Sequence, residues 1–157
     1  MTLYYDRSGV TIHNGNCADI MAQMDADSIN LTVTSPPYDN LRTYNGYVFD
    51  FPAIAAQLWR VTKRGGVVVW VVGDATIDGS ETLTSFKQAI HFRELGFNLH
   101  DTMIYRKDNY MAVPSNRYFG VFEYMFVFAK VSPSTFNGLR QPTMYRTKGQ
   151  SATQRNP

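Results

Sequence analysis

The sequence predicts an α/β domain built on a parallel sheet, and three features in a row carry that reading. Ile29, Leu31 and Val33 alternate with polar residues at period two. Phe51, Ile54, Ala55, Leu58 and Trp59 then recur at helical spacing, and Val67 to Val72 form an unbroken apolar run. A period of two marks a half-buried strand, and i, i+3, i+4, i+7 marks one face of a helix. A solid apolar run is the pattern of a strand covered on both faces. Strand, helix and strand in this order make a crossover unit, which is right-handed and leaves the two strands parallel. With 157 residues the chain has room for one core and not for two ordinary domains.

The remaining elements follow from local signals. Val10-Thr11-Ile12-His13 reads as a short strand closed by the turn-prone Asn14-Gly15-Asn16. A short helix follows, with Ile20, Met21 and Met24 on one side. The strand from Ile29 must stop at Pro36-Pro37, because neither proline can donate a ladder hydrogen bond. Tyr38 to Tyr47 is a polar, aromatic loop. Asp50 caps the next helix and Pro52 is tolerated in its first turn, while Lys63-Arg64-Gly65-Gly66 closes it. A further helix is expected over Glu81 to Leu95, with Leu83, Phe86 and Ile90 inward and Gly96 ending it. Leu99 to Arg106 and Val121 to Ala129 read as two more strands, joined by a polar loop over Lys107 to Tyr118. Residues 1–130 therefore form the folded region. Residues 131–157 form a polar tail carrying Arg140, Arg146, Lys148 and Arg155, expected to be disordered or to begin a recognition region.

Composition removes several classes of function. Hydrophobic residues at 44% against 18% charged fit a folded chain rather than a disordered one. The longest apolar run, six residues, is far short of the ~20 that span a bilayer, and no apolar signal core opens the sequence. The expectation is a soluble, cytoplasmic protein with no membrane partner. One cysteine, Cys17, leaves no intrachain disulfide and no cysteine-rich zinc site. His13, His91 and His100 lack metal-ligand spacing, so no metal is expected. A net charge of +2 is compatible with a polyanionic partner without requiring one.

The feature with chemistry in it is Ser35-Pro36-Pro37-Tyr38, placed at a strand's carboxyl end, where open α/β sheets bind ligands. Pro-Pro-Tyr by itself is commonly just a strand-ending turn. In this position it offers the Ser35 hydroxyl and the Pro36 carbonyl, two acceptors held in fixed directions by the paired rings. An amine conjugated to an aromatic ring is a poor nucleophile because its lone pair is delocalised. Two acceptors aimed at its N–H groups draw the nitrogen toward a tetrahedral geometry and stabilise the positive charge that develops as it reacts. Tyr38 is suited to stack on the ring that carries the amine.

The chain resembles the beta-class DNA amino-methyltransferases, which modify cytosine N4 or adenine N6. The resemblance covers most of residues 10 to 130. It rests on Gly15-Asn16-Cys17 for the family's Gly-Asp-Cys-like turn, and on Asp27-Ser28-Ile29 leading into Leu31-Thr32-Val33-Thr34-Ser35-Pro36-Pro37-Tyr38. Arg60 to Gly66 matches the family's helix end and glycine pair. Gly96-Phe97 to Lys107 and Phe122-Glu123-Tyr124 to Lys130 match its antiparallel strand pair. The resemblance implies a Rossmann-like, three-layer methyltransferase fold and S-adenosylmethionine as cofactor. It implies DNA as partner, with an extruded base as methyl acceptor, as in restriction-modification enzymes. Ser35, Pro36, Pro37 and Tyr38 are then the catalytic residues. Ser at the first motif position leans toward cytosine N4.

Two departures shape the expectation. Asn16 stands where the family usually has an acidic residue, so Asn16 and Cys17, with Ser35, either hold the cofactor or are an ordinary turn residue and a buried thiol. The family's Phe-x-Gly-x-Gly cofactor loop, which follows the target-recognition region, has no counterpart up to Pro157. The resemblance thus implies a sheet lacking two strands between the first strand and the one leading to Ser35, with an apolar edge exposed. The chain is expected to be a truncated, split or degenerate enzyme, inactive alone, completed by a second chain or an oligomer. The alternative is a catalytically silent DNA-binding remnant. Among smaller candidates, Asp39, Arg42 and Tyr44 either contact DNA or form a solvated loop. Asp74 either lines the pocket or caps a helix, and Arg117 and Glu123 are placed to form an ion pair.

Overall fold

The computed structural model describes residues 2–37, 48–108 and 116–138. In chain order the elements are β1 (Thr2–Arg7), β2 (Val10–Asn14), α1 (Cys17–Ala22), β3 (Ile29–Thr34), α2 (Phe51–Val61) and β4 (Thr62–Val72). They continue with β5 (Thr76–Ile77), β6 (Ser80–Glu81), α3 (Thr84–Glu94), β7 (Asn98–Arg106) and β8 (Phe122–Ala129). The main sheet has the order β3-β4-β8-β7. β3 and β4 are parallel across the α2 crossover, as the sequence pattern requires, and β8 runs antiparallel to both of its neighbours. β1 and β2 form a separate antiparallel hairpin, and β5 and β6 a third, minimal one.

Helix α2 begins where Asp50 accepts from the Ala53 amide at 3.1 Å, with Pro52 in the first turn. It ends earlier than the basic run suggested. Thr62 already belongs to β4, its hydroxyl donating to the Leu58 carbonyl at 2.6 Å, and β4 absorbs Lys63 to Gly66 as an irregular start. Glycine is required there: a Cβ on Gly66 would sit 2.9 Å from the Lys63 carbonyl and 3.0 Å from that of Ile29. Gly96 closes α3 at φ +112, and a Cβ on it would press on the Trp59 ring at 3.0 Å.

The core is aromatic and one-sided. Val68, Trp70 and Val72 of β4 and Phe126 and Phe128 of β8 point one way, onto Ile54, Ala55 and Leu58 of α2 and Ala89 and Phe92 of α3. Phe92 packs edge-on to Trp70 at 5.0 Å and against Phe128 at 4.6 Å. The buried Trp70 indole N–H donates to Gln88 Oε1 at 2.7 Å, which fixes α3 over the strand. That contact explains a difference from the sequence pattern. The inward face of α3 is Ser85, Gln88, Ala89 and Phe92, whereas Leu83, Phe86 and Ile90 are exposed. Leu83 lies just before the helix in a left-handed conformation, and Phe92 enters the core while Phe86 packs edge-on against Tyr124 at 5.2 Å.

The other face of the sheet is uncovered among the described residues. Val67, Val69 and Val71 are only half-buried, so the run expected to be covered on both faces is covered on one. On β3 the positions paired with Val67 and Val69 are Leu31 and Val33, 58% and 65% exposed. The α/β class is as expected, and two of the three expected layers are present in the described residues. β3 is an edge strand there, and β2 pairs with β1 rather than with the main sheet. No described helix is long and apolar enough to cross a membrane.

This one-sidedness is measurable. Phe92→Ala is expected to lower the unfolding free energy in urea by about 3–5 kcal/mol. Val69→Ala, on the open face, should lower it by about 1 kcal/mol or less. Equal losses would mean that both faces are core.

Candidate functional site

The carboxyl edge of the parallel pair gathers the predicted catalytic residues. Thr34 is opposite Trp70, and continuing that register sets Ser35 and Pro36 level with Val71 and Val72. β3 stops at its prolines while β4 runs on to Val72, so the two strand ends are stepped. Pro36 is buried, Pro37 half-buried and Ser35 exposed. The bend is thus anchored by a ring and presents a hydroxyl outward. The start of β3, at the other end of the strand from the bend, is tied to α2, since the Asp27 and Ser28 amides donate to the Arg60 and Val61 carbonyls at 3.0 and 2.8 Å. Tyr38 lies outside the described residues, as do Asp39, Arg42, Tyr44 and the basic residues from Arg140 onward.

A hollow of about 290 Å³ opens beneath the bend. Ser35, Pro36 and Pro37 line it together with Cys17, Phe49 and Trp70. Cys17 is an exposed thiol at the start of α1, not a buried one. Asn16 does not line the hollow: its side chain caps α1, accepting from the Ala18 amide at 2.9 Å. The structure therefore brings Ser35 and Cys17 to one cavity and gives Asn16 a capping bond. Arg60 holds the far end of α1, donating to the Met21 carbonyl and, at 2.9 Å, to that of Met24. This guanidinium clamp was invisible to sequence reasoning, because it joins residues 36 and 39 positions apart.

A second, wider hollow of about 690 Å³ lies beyond the end of β4 and reaches the turn before β8. Asp74 lines it and also does what a helix cap does: its carboxylate accepts from the Ser85 amide at 2.9 Å and from the Ser85 hydroxyl at 2.5 Å. Both readings of Asp74 hold at once. Glu123 lines the same hollow and pairs with Lys107 at 3.3 Å. Arg117 donates instead to the Gly79 carbonyl at the β5–β6 turn, so the expected Arg117–Glu123 pair is replaced by these two contacts. The reason is geometric, because Lys107 sits directly after β7, whose Tyr105 is opposite Glu123. Among the described residues no group of His, Cys, Asp and Glu is arranged to hold a metal ion.

Comparison with known proteins gives this geometry a context. The orphan methyltransferase M.BamHII of Bacillus amyloliquefaciens is 64% identical over 110 residues, 70% of this chain and 42% of that protein. A putative DNA modification methylase of Thermus thermophilus, solved in complex with S-adenosyl-L-methionine, superimposes with a TM-score of 0.60 at 26% identity. The match covers 83% of this chain and 57% of that one. The PvuII DNA methyltransferase, described as cytosine-N4-specific, shares the fold with a TM-score of 0.64 at 18% identity, over 78% of this chain and 50% of that one. The chain thus spans about half the length of these relatives. The sequence profile of the N6/N4 DNA methylases matches residues 29–156. The chain belongs to the N6/N4 family of DNA methylases.

Proposed function

We propose that this chain presents the base-activating loop of a DNA methyltransferase that moves a methyl group from S-adenosylmethionine to an exocyclic amine of an extruded base. The observation that carries this reading is the exposed Ser35 beside the buried Pro36, at a stepped strand edge, facing a cavity. The Ser35 hydroxyl and the Pro36 carbonyl accept from the two amine hydrogens. Removing those hydrogens from the ring plane localises the lone pair and prepares the nitrogen for attack. Pro37 fixes the carbonyl's direction, and Tyr38 supplies a stacking face for the base. Ser35 at the first position favours cytosine N4 over adenine N6. A DNA substrate calls for a soluble, cytoplasmic setting, with residues 1–130 as the catalytic region and 131–157 beginning the recognition region.

The cofactor is a test of how much of the site this chain holds. A sulfonium nucleoside bearing an amino-acid side arm carries an ammonium and a carboxylate, and none of the residues lining the hollow beneath the bend is charged. Cys17 and Ser35 can form one wall of its site, and partners for its charged end must come from elsewhere. The half-length match to the relatives and, among the described residues, the uncovered sheet face and the unpaired edge of β3 support a further polypeptide segment that completes the fold.

Calorimetry on the isolated chain is expected to show binding of S-adenosylmethionine weaker than micromolar, and a micromolar Kd would contradict the one-wall reading. Joining the chain to the unmatched remainder of M.BamHII should restore methyl transfer to DNA, and nuclease digestion with mass spectrometry should find N4-methylcytosine. Ser35→Ala and Pro37→Ala should each lower kcat/KM by about 10²–10³-fold while duplex binding changes little. N6-methyladenine alone would reverse the base preference. No methylation by the joined protein would leave the silent DNA-binding remnant as the surviving reading.

A further inference from the structure

Asn14 and Gly15 stand where β2 gives way to α1, the helix whose first residue, Cys17, lines the hollow beneath the bend. Both are exposed. Among the described residues the Asn14 carboxamide makes no hydrogen bond. Asn16 and Asn98 differ: Asn16 accepts from the Ala18 amide at 2.9 Å, and Asn98 donates to the Val131 carbonyl at 2.5 Å. The Gly15 amide is likewise held by no turn, cap or side chain. Gly15 lies at φ +153 and has no Cβ, so no side chain of its own shields its nitrogen from the carboxamide before it.

We infer that Asn14-Gly15 is a self-modifying site, at which the folded chain turns an amide into an acid with water as the only co-reactant. The Gly15 nitrogen gives up its proton and bonds to Asn14 Cγ. The Cγ–Nδ2 bond breaks, and ammonia leaves carrying that proton. The resulting cyclic imide adds one water and opens at Cγ, giving aspartate, or at the main-chain carbonyl, giving isoaspartate. In the second product the main chain runs through Cβ and Cγ and is longer by one carbon. Arg60 holds the far end of α1 by the Met21 and Met24 carbonyls, so the added length falls on the near end, at the Asn16 cap and Cys17. Isomerisation thereby loosens the cap beside the cavity wall. The chemistry goes beyond the catalytic reading and stands without it.

The test incubates the full chain in water enriched in heavy oxygen and maps it by mass spectrometry with electron-transfer fragmentation. That method tells isoaspartate from aspartate and separates this pair from Asn45-Gly46 and Asn137-Gly138. Asn14 should convert ahead of Asn16 and Asn30, taking up one heavy oxygen, at a rate that rises with pH because the deprotonated amide is the nucleophile. Asn14→Gln should show no conversion over the same time, since its longer side chain cannot close the same ring. In the purified isoaspartyl chain, hydrogen exchange at the Ala18 amide should be about 2- to 30-fold faster, the range that losing an N-cap gives. Asn14→Asp, which adds the charge without the extra carbon, should exchange like the native chain. An Asn14 that keeps its amide in the folded chain yet loses it in urea would overturn the inference. So would Ala18 exchange that is unchanged in the isoaspartyl chain, or raised equally by Asn14→Asp. Failure of methyl transfer in the joined enzyme moves neither readout, so this inference and the catalytic reading fall separately.

Discussion

A proline nitrogen has no hydrogen to donate, and the layout of the carboxyl edge follows from where the two prolines fall. β3 pairs with β4 through Thr34 and then loses the donors that would continue the ladder. β4 is free of that restriction and continues to Val72. The mismatch leaves a step, and the Pro36 ring is buried against it while Ser35 stays accessible. Were the ladder to continue through residue 35, its hydroxyl would belong to a sheet face rather than to a sheet end. A site at the end of the strands, facing a cavity, needs the chain to leave the sheet at that residue.

Behind the edge, the core of the described residues stabilises only one side of the strands that carry it. Trp70, Phe92, Phe97 and Phe128 interlock at centroid distances of 4.6–6.3 Å, within the range where tilted and edge-on rings attract beyond their burial. The opposite face repeats the same apolar spacing with Val67, Val69 and Val71 and continues it onto Leu31 and Val33. Soluble proteins rarely leave so contiguous an apolar surface open without a partner for it. Among the described residues this face is bare, in a chain that spans about half the length of its relatives.

Periodicity read from the sequence located β3, α2, β7 and β8 to within a residue or two, because each is bounded by a proline, a cap or a glycine with one physical meaning. The bend itself was legible for the same reason. What failed were choices that depend on distant partners. The inward face of α3 depends on the Trp70–Gln88 bond, made across 18 residues, and on Phe92 packing against Trp70 and Phe128. Glu123 found Lys107 rather than Arg117 because the β7–β8 register, not sequence proximity, decides which side chains meet. The β1–β2 hairpin was half seen: β2 announced itself, while β1, with its charged end and mixed composition, gave no period. Of the candidate site, Ser35, Pro36, Pro37 and Cys17 converge on one cavity, and Asn16 is occupied in holding the helix that positions Cys17.

Activation of a conjugated amine is demanding in geometry, since acceptors that are misplaced by about 1 Å lose most of their effect on the nitrogen. Ser35 and Pro36 hang from a strand whose ladder, among the described residues, is made on one side only. Parallel pairing on a single edge restrains displacement along and across the sheet less than pairing on both. The α2 carbonyls that accept from Asp27 and Ser28 steady the strand's start, at the opposite end of β3 from the bend, and the buried Pro36 ring steadies its end. A segment pairing with the free edge of β3 would therefore do more than bring cofactor contacts. It would also stiffen the loop proposed to hold an amine, so that completing the sheet and steadying the bend would be one physical event.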